Sequence, residues 1–164
     1  MNTGQSLITI AAMMLLSVLV LRINSTILTT DQVVQDSKFG LLATSIATSL
    51  IEEATSKAFD ANTDSWNVTS LSQRTAPSKL GPESGEVYPN FDDVDDYNGY
   101  TRIDSSMPSA VFKDSCIVVY VASSTPGVTS STATWNKKIT IVVTSQSMQD
   151  TVRMSTIFSY WFFR

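Results

Sequence analysis

The N-terminal part of the chain is the feature that most limits how it can fold. The stretch from Leu7 to Leu21 is almost wholly apolar, contains no proline and precedes the first charged side chain, Arg22. As a helix rising about 1.5 Å per residue, the segment 5–23 would be about 28 Å long. That length just crosses a bilayer hydrocarbon core of about 30 Å. The sequence therefore predicts a membrane-inserting helix at this end of the chain.

The residues that flank this stretch bear on whether the helix is kept or removed. A cleaved secretory signal has a basic region ahead of its apolar run and small residues at the cleavage site behind it. The segment 1–4 has no basic side chain, and Arg22-Ile23-Asn24 is a poor cleavage site. We therefore expect a retained membrane anchor, with removal of the whole segment as the alternative.

Apolar residues continue at helical spacing beyond the membrane segment, as far as Phe59. Spacings of three, four and seven residues are typical of one face of a helix. That face consists of Ile27, Leu28, Val34, Leu41, Leu42, Ile46, Leu50, Ala54 and Ala58. We therefore predict one long helix over 5–59. Its part 46–59 should pack on its own domain, whereas its part 23–42 should be covered by other chains.

The amino-acid composition argues against several classes of function. With 164 residues, of which 43% are hydrophobic, the chain has room for one modest domain beside the helix. The net charge is −4 and only Lys137 and Lys138 are adjacent basic residues, whereas phosphate binding needs clusters of them. We therefore expect no nucleic-acid partner. The absence of histidine excludes most zinc sites and histidine-dependent catalytic triads, so we expect no enzymatic activity.

The single cysteine, Cys116, cannot form an internal disulfide. It lies in the apolar run 116–121, where a buried and inert thiol is expected. Stability must then come from packing, from neighbouring subunits or from bound ions.

Strand signals are confined to the C-terminal half. The segment 61–89 holds prolines, glycines and scattered Ser and Thr, which predicts a long irregular connection. Three later runs, 110–123, 134–145 and 151–162, are rich in Val, Ile, Thr and aromatic residues, which favour strands. The segment 99–104 is a candidate for one further strand.

Alternation within these runs indicates a half-buried sheet. Ile139, Ile141 and Val143 alternate with polar neighbours in the second run. The loop 145–150 can join the last two strands as a hairpin, and 123–132 can join the first two. We therefore predict an α+β fold in which a long N-terminal helix packs on a small antiparallel sheet of a β-rich head domain, 60–164. In the last run, Tyr160 and Phe162 should face the core, with Trp161 on the other face.

Two segments carry a resemblance to a known family. These are Gly4-Gln5-Ser6-Leu7-Ile8-Thr9-Ile10, a polar leader ending in glycine followed by an apolar helix, and the helix end from Leu50 to Asp60. Together with the C-terminal antiparallel sheet, they resemble the type IV pilin and type II secretion pseudopilin family. By motif, the resemblance covers about the first sixty residues.

The resemblance implies how the N-terminus is processed. A prepilin peptidase would remove the leader 1–4 by cutting between Gly4 and Gln5 and would methylate the new amine of Gln5. Thr9 differs from the glutamate that the family usually has there, whose carboxylate pairs with the N-terminal amine of a neighbouring subunit. A hydroxyl at this place can accept a hydrogen bond but carries no charge.

The resemblance also implies a function. The chain would be a structural subunit of a pilus-like or pseudopilus filament, with copies of itself as partners and the polar head outside. The precursor would lie in the bacterial inner membrane with an assembly platform, and the filament would be extracellular or periplasmic. The self-assembly residues would be Leu7, Ile8, Ile10, Met13, Met14, Leu15, Leu16, Val18, Leu19, Val20, Leu21, Ile27, Leu28 and Val34. The alternative is a monomeric, membrane-anchored surface domain that binds a ligand or partner.

An acidic run in the head domain is a candidate metal site. Carboxylate and amide oxygens are the ligands that calcium prefers in proteins. The candidate ligands are Asp92, Asp93, Asp95, Asp96 and Asn98. The alternative is a solvated loop in which Asn98-Gly99 forms the turn. No other cofactor is expected.

Overall fold

The computed structural model describes residues 2–163, except for the side chains of Ser65, Phe162 and Phe163. The predicted core position of Phe162 therefore lies outside the described residues, as does Met1 of the predicted leader. The chain forms two compact units, 1–38 and 39–164, the second of which we call the head unit.

The helices and strands follow the predicted order. The α-helices are α1, Thr3–Thr55, and α2, Ala61–Ser65. The strands are β1, Thr101–Asp104; β2, Phe112–Ala122; β3, Thr125–Thr129; β4, Asn136–Ser145; and β5, Val152–Ser159. Short 3-10 helices span Leu71–Gln73, Pro77–Lys79, Asp95–Tyr97 and Tyr160–Phe163.

Helix α1 contains no proline, and many of its hydroxyl side chains donate to carbonyls of the preceding turn. Ser17 Oγ donates to the carbonyl of Met13 at 2.9 Å, and similar bonds recur along the helix. The helix ends at Thr55, short of the predicted Phe59. It ends there because Ala58 leaves the helix to pair with another segment: its N–H donates to Asp92 at 3.1 Å, and its carbonyl accepts from Val94 at 3.0 Å.

The strands form one five-stranded antiparallel sheet. The order is β1-β2-β4-β5, and β3 pairs with the end of β2. The predicted α+β class is confirmed, and so is a strand within 99–104. Strand β3 corrects the prediction of a loop over 123–132. All five of its residues are exposed, so it has no alternating apolar pattern that sequence reasoning could detect.

The last strand is shorter than predicted. It ends at Ser159, and the chain continues as a 3-10 helix. Tyr160 is buried as expected. Its N–H donates to the carbonyl of Trp135 at 3.1 Å, and its hydroxyl accepts from the N–H of Val68 at 3.1 Å. Trp161 is 52% exposed, and its ring packs edge-on against Tyr160 and at a tilt against Trp135.

The core of the head unit lies between one face of α1 and one face of the sheet. The helix contributes Phe39, Ala43, Ile46, Ala47, Leu50 and Ala54, spaced by three or four residues apart from the adjacent pair Ile46 and Ala47. Three of these are alanines, which let the helix backbone approach the strands closely. The packing begins at Phe39, whose ring meets Phe112, and not at Ile46 as predicted. The C-terminal part of α1 therefore belongs to the head unit, which corrects the predicted division at residue 60.

Candidate functional site

The first unit exposes a large apolar surface. All fourteen predicted self-assembly residues are more than half exposed, from 52% for Ile10 to 73% for Leu15. We call this set the N-terminal apolar surface; it consists of Leu7, Ile8, Ile10, Met13, Met14, Leu15, Leu16, Val18, Leu19, Val20, Leu21, Ile27, Leu28 and Val34. Monomeric soluble proteins rarely expose contiguous apolar patches of more than a few hundred Å².

The apolar side chains surround the helix. From Met13 to Leu21 every residue except Ser17 is apolar, and successive residues point about 100° apart, so no polar face remains in this part. A helix that is apolar all round is normally buried in a membrane or in protein. By length and composition, α1 can cross a membrane, as an anchor or as a signal sequence.

The predicted processing residues lie in the first turns of α1. Gly4 and Gln5 are both exposed. Thr9 Oγ1 donates to the carbonyl of Gln5 at 2.5 Å, which satisfies its hydrogen atom within the helix. The oxygen of Thr9 keeps its lone pairs, so it can still accept a hydrogen bond from a neighbouring amine.

The five predicted calcium ligands do not form one ligand set. Asp95 faces Lys137, and the Oδ2 atom of Asp96 accepts the backbone N–H groups of Asp92 and Asp93 at 3.0 and 3.2 Å. Asn98 is a structural residue: Nδ2 donates to the carbonyl of residue 80 at 2.9 Å, and Oδ1 accepts from the N–H of residue 118 at 3.1 Å. The acidic run forms a tight turn that buries Asp93, Asp95 and Asp96 and leaves Asp92 exposed.

A different group of carboxylates comes together beside this turn. Single oxygens of Glu83, Glu86 and Asp96 lie within 4.8 Å of one another. The N–H of Glu83 donates to Glu86 Oε2 at 2.9 Å, and the N–H of Glu86 donates to the carbonyl of Glu83 at 3.1 Å. Burial and the neighbouring Glu86 raise the pKa of Glu83 to about 7. Among the described residues, these three carboxylates lie close enough together to hold a cation; calcium binding itself stays a prediction.

The sequence interpretation included only Asp96 of these three. The two glutamates lie in the segment 61–89, which the sequence predicts to be an irregular connection. Their spacing of three residues beside Gly85 is a turn signal that could have found them.

A buried charge cluster lies at the centre of the head unit. It consists of Asp60, Asp93, Asp95, Lys137 and Tyr120, each at most 1% exposed. Lys137 Nζ donates to the carbonyl of Phe59 at 2.5 Å and to Asp60 Oδ2 at 3.2 Å, and it contacts Asp95 Oδ1. The ammonium group therefore has two carboxylates and a carbonyl around it, and the Lys137 side chain is fully buried.

Aromatic rings enclose the cluster. Lys137 Nζ lies 4.5 Å from the ring centroid of Phe59 and 5.2 Å from that of Tyr120. The Arg74 guanidinium lies 4.6 Å from the centroid of the same Phe59 ring and 3.7 Å from that of Trp135. A cation over an aromatic face is stabilised by the ring quadrupole, most strongly where water is absent.

The carboxylates of the cluster differ in their hydrogen bonds. Asp60 caps helix α2 and accepts from the N–H of Asn62 at 3.3 Å, from the N–H of Thr75 at 3.1 Å and from the hydroxyl of Tyr120 at 3.1 Å. Burial opposes its ionisation, but the charge of Lys137 and the bonds from Thr75 and Asn62 keep the pKa of Asp60 below its usual value.

The other two carboxylates are less well satisfied. Asp95 Oδ2 and Asp93 Oδ2 are buried without a hydrogen-bond partner among the described residues. Burial, partly opposed by the charge of Lys137, raises the pKa of Asp95 to about 6. Burial and the charge of Asp95 raise the pKa of Asp93 to about 8.

Sequence reasoning missed this cluster, although one signal for it was present. Lys137 lies in phase with the inward-facing Ile139, Ile141 and Val143, whereas Lys138 lies out of phase. A lysine at an inward position of a strand requires a buried acidic partner.

Comparison of the chain with protein-family models, with curated proteins and with solved structures finds no match.

Proposed function

We propose that this chain is a structural subunit of a pilus-like or pseudopilus filament. It assembles with copies of itself through the N-terminal apolar surface, the head unit stays outside, and the chain performs no catalysis. The observation that carries the proposal is an apolar surface that surrounds the helix and that nothing in its own unit covers. The resemblance of the first sixty residues to pilins and pseudopilins adds to it.

The extent of the apolar surface favours a polymer over a simple anchor. The segment 5–23 is already long enough to cross a bilayer. Beyond it, Ile27, Leu28, Val33 and Val34 remain 54–61% exposed. A tether that ends at the membrane surface gains nothing from apolar side chains in water, whereas copies packed side by side would bury them.

The energetics agree with transfer from the membrane into a filament. Burying about fifteen apolar side chains stabilises by roughly 1.5 to 3 kcal/mol each relative to water. Moving them from lipid to a protein core is nearly neutral, so a subunit can enter the filament from the membrane but cannot leave it for water. We place the precursor in the bacterial inner membrane, with a prepilin peptidase and an assembly platform as partners. The filament is extracellular or periplasmic.

The first prediction concerns the mature N-terminus. If a prepilin peptidase processes the chain, N-terminal peptide mass spectrometry of native material should find Gln5 as the first residue, with one methyl group on its amine. The exposed Gly4-Gln5 bond is accessible for this cut. An intact Met1, or a start beyond Leu21, contradicts the processing.

The second prediction tests self-association directly. A Leu19→Cys variant, treated with a flexible bismaleimide reagent in native membranes and sheared surface fractions, should give covalent dimers. The natural thiol should not react with the reagent, because Cys116 is 1% exposed and burial raises its pKa to about 12.

The matched control for this experiment is Val128→Cys, at an apolar position of the head unit that is also more than half exposed. We expect several-fold fewer dimers there than at position 19. Equal yields at both positions would indicate random collision. No dimers at position 19 would support the alternative, a monomeric membrane-anchored domain that binds a ligand or partner.

A further inference from the structure

We propose that Lys137 and Asp95 become joined by an amide bond between Lys137 Nζ and Asp95 Cγ, formed spontaneously inside the folded head unit. The bond would link strand β4 covalently to the turn that precedes β1. It is independent of filament formation, since every group involved lies within the head unit.

The reacting atoms are already placed together in the folded head unit. Lys137 Nζ is in direct contact with Asp95 Oδ1, so the amine and the carboxyl carbon are neighbours without any movement of the backbone. Both side chains are at most 1% exposed. Two groups held in contact react as if at very high concentration, because the entropy of bringing them together is lost already on folding.

The Lys137 amine and the Asp95 carboxyl group are shielded from solvent. The rings of Phe59 and Tyr120 cover the amine, and the remaining contacts of Nζ are the carbonyl of Phe59 and Asp60 Oδ2. Condensation of an amine with a carboxyl group releases water, which a dry site does not return. The amide removes the desolvation penalty of the Lys137 and Asp95 charges, while Asp60 keeps its hydrogen bonds from Asn62, Thr75 and Tyr120.

The two carboxyl groups around Lys137 have different roles. The charge of Lys137 and hydrogen bonds from Thr75 and Asn62 lower the pKa of Asp60, so Asp60 stays ionised and holds Nζ in place at 3.2 Å. Asp95 has a raised pKa, and its Oδ2 has no hydrogen-bond partner among the described residues, so Asp95 takes up a proton more readily than Asp60. Carboxylates whose environments move their pKa values apart are suited to opposite roles in proton transfer.

The reaction balances without any other reagent. The Lys137 ammonium passes one proton to the Asp95 carboxylate that it contacts, and the lone pair of the resulting amine attacks Cγ of the neutral Asp95 acid to form the new C–N bond. The tetrahedral carbon then loses the protonated Asp95 oxygen, which leaves as water with a second proton that Asp60 relays from the nitrogen. One positive and one negative charge disappear together. No electrons are transferred to or from an outside group.

Such a bond would suit a chain with one cysteine. Cys116 has no partner with which to form an internal disulfide. An amide between residues 42 positions apart would restrict the unfolded chain in the way that a disulfide does.

The test is a peptide map of the full-length protein, denatured and digested with trypsin. A joined pair should appear that consists of Leu80–Arg102 and Asp114–Lys138, lighter than the sum of the two peptides by one water molecule. Trypsin should not cut after Lys137, because an acylated lysine is not recognised. Free Leu80–Arg102 together with cleavage after Lys137 in the wild-type protein would overturn the proposal.

Variants give a second, independent reading. Asp95→Asn should form the same bond with loss of ammonia, so its joined pair should have the same mass as that of the wild type. Lys137→Arg should show only free peptides, and the control Lys138→Arg should keep the joined pair. Asp60→Asn should slow or stop formation. A joined pair that persists in Lys137→Arg would exclude Lys137 as the linking residue.

Discussion

Leu15→Arg is expected to abolish filaments. Leu15 lies in the middle of the apolar run and is the most exposed residue of the N-terminal apolar surface. A charged side chain at the centre of a membrane helix costs about 2.5 to 3.5 kcal/mol on insertion, and an unpaired charge in a filament core meets a similar penalty. Electron microscopy of sheared surface fractions should show no fibres from cells that carry this variant.

The effect should be confined to assembly, because residue 15 lies outside the head unit. Circular dichroism and resistance to protease should show that the head unit remains folded in Leu15→Arg. The matched control is Ile103→Arg, an apolar position of strand β1 that is 69% exposed, and fibres should persist in that variant. Normal fibres in Leu15→Arg would show that the N-terminal apolar surface is not the assembly surface.

Lys137→Met should have the largest effect on the stability of the head unit. The substitution keeps most of the side-chain volume but leaves Asp60 and Asp95 without their shared buried partner. Removing one member of a buried ion pair typically costs about 3 to 5 kcal/mol, because the remaining charge is uncompensated. Thermal unfolding of the full-length protein in detergent, followed by circular dichroism, should show a large fall in Tm.

Two further variants test whether this loss of stability comes from the uncompensated carboxylates. Lys138→Met, on the other face of the same strand, should change stability by less than about 1 kcal/mol. Combining Lys137→Met with Asp95→Leu should recover part of the loss, because one uncompensated carboxylate is removed. If Lys137→Met and Lys138→Met unfold at the same temperature, the buried charge cluster does not stabilise the head unit.

Features with a local signature could be predicted from the sequence. An uninterrupted apolar run without proline predicts a helix wherever it lies, and alternation such as Ile139, Ile141 and Val143 predicts a strand with one buried face. The α+β class and the exposed apolar character of 7–21 followed from these patterns. Strand β3 did not, because a fully exposed strand has no apolar alternation.

The candidate sites depended on contacts between distant segments. Lys137 meets Asp95 and Asp60 across 42 and 77 positions of sequence. Nothing in the acidic run indicated that Asp95 faces a lysine or that Asp96 faces Glu83 and Glu86. The end of α1 at Thr55 likewise depends on pairing between Ala58 and Asp93.

The sequence by itself determined the long helix, its apolar surface and the face that strand β4 buries, since these depend on periodicities within a short window. Only the tertiary structure decided which charged groups meet in the head unit. A buried charge is tolerated only beside a partner that satisfies it, and the folded chain alone brings that partner to it.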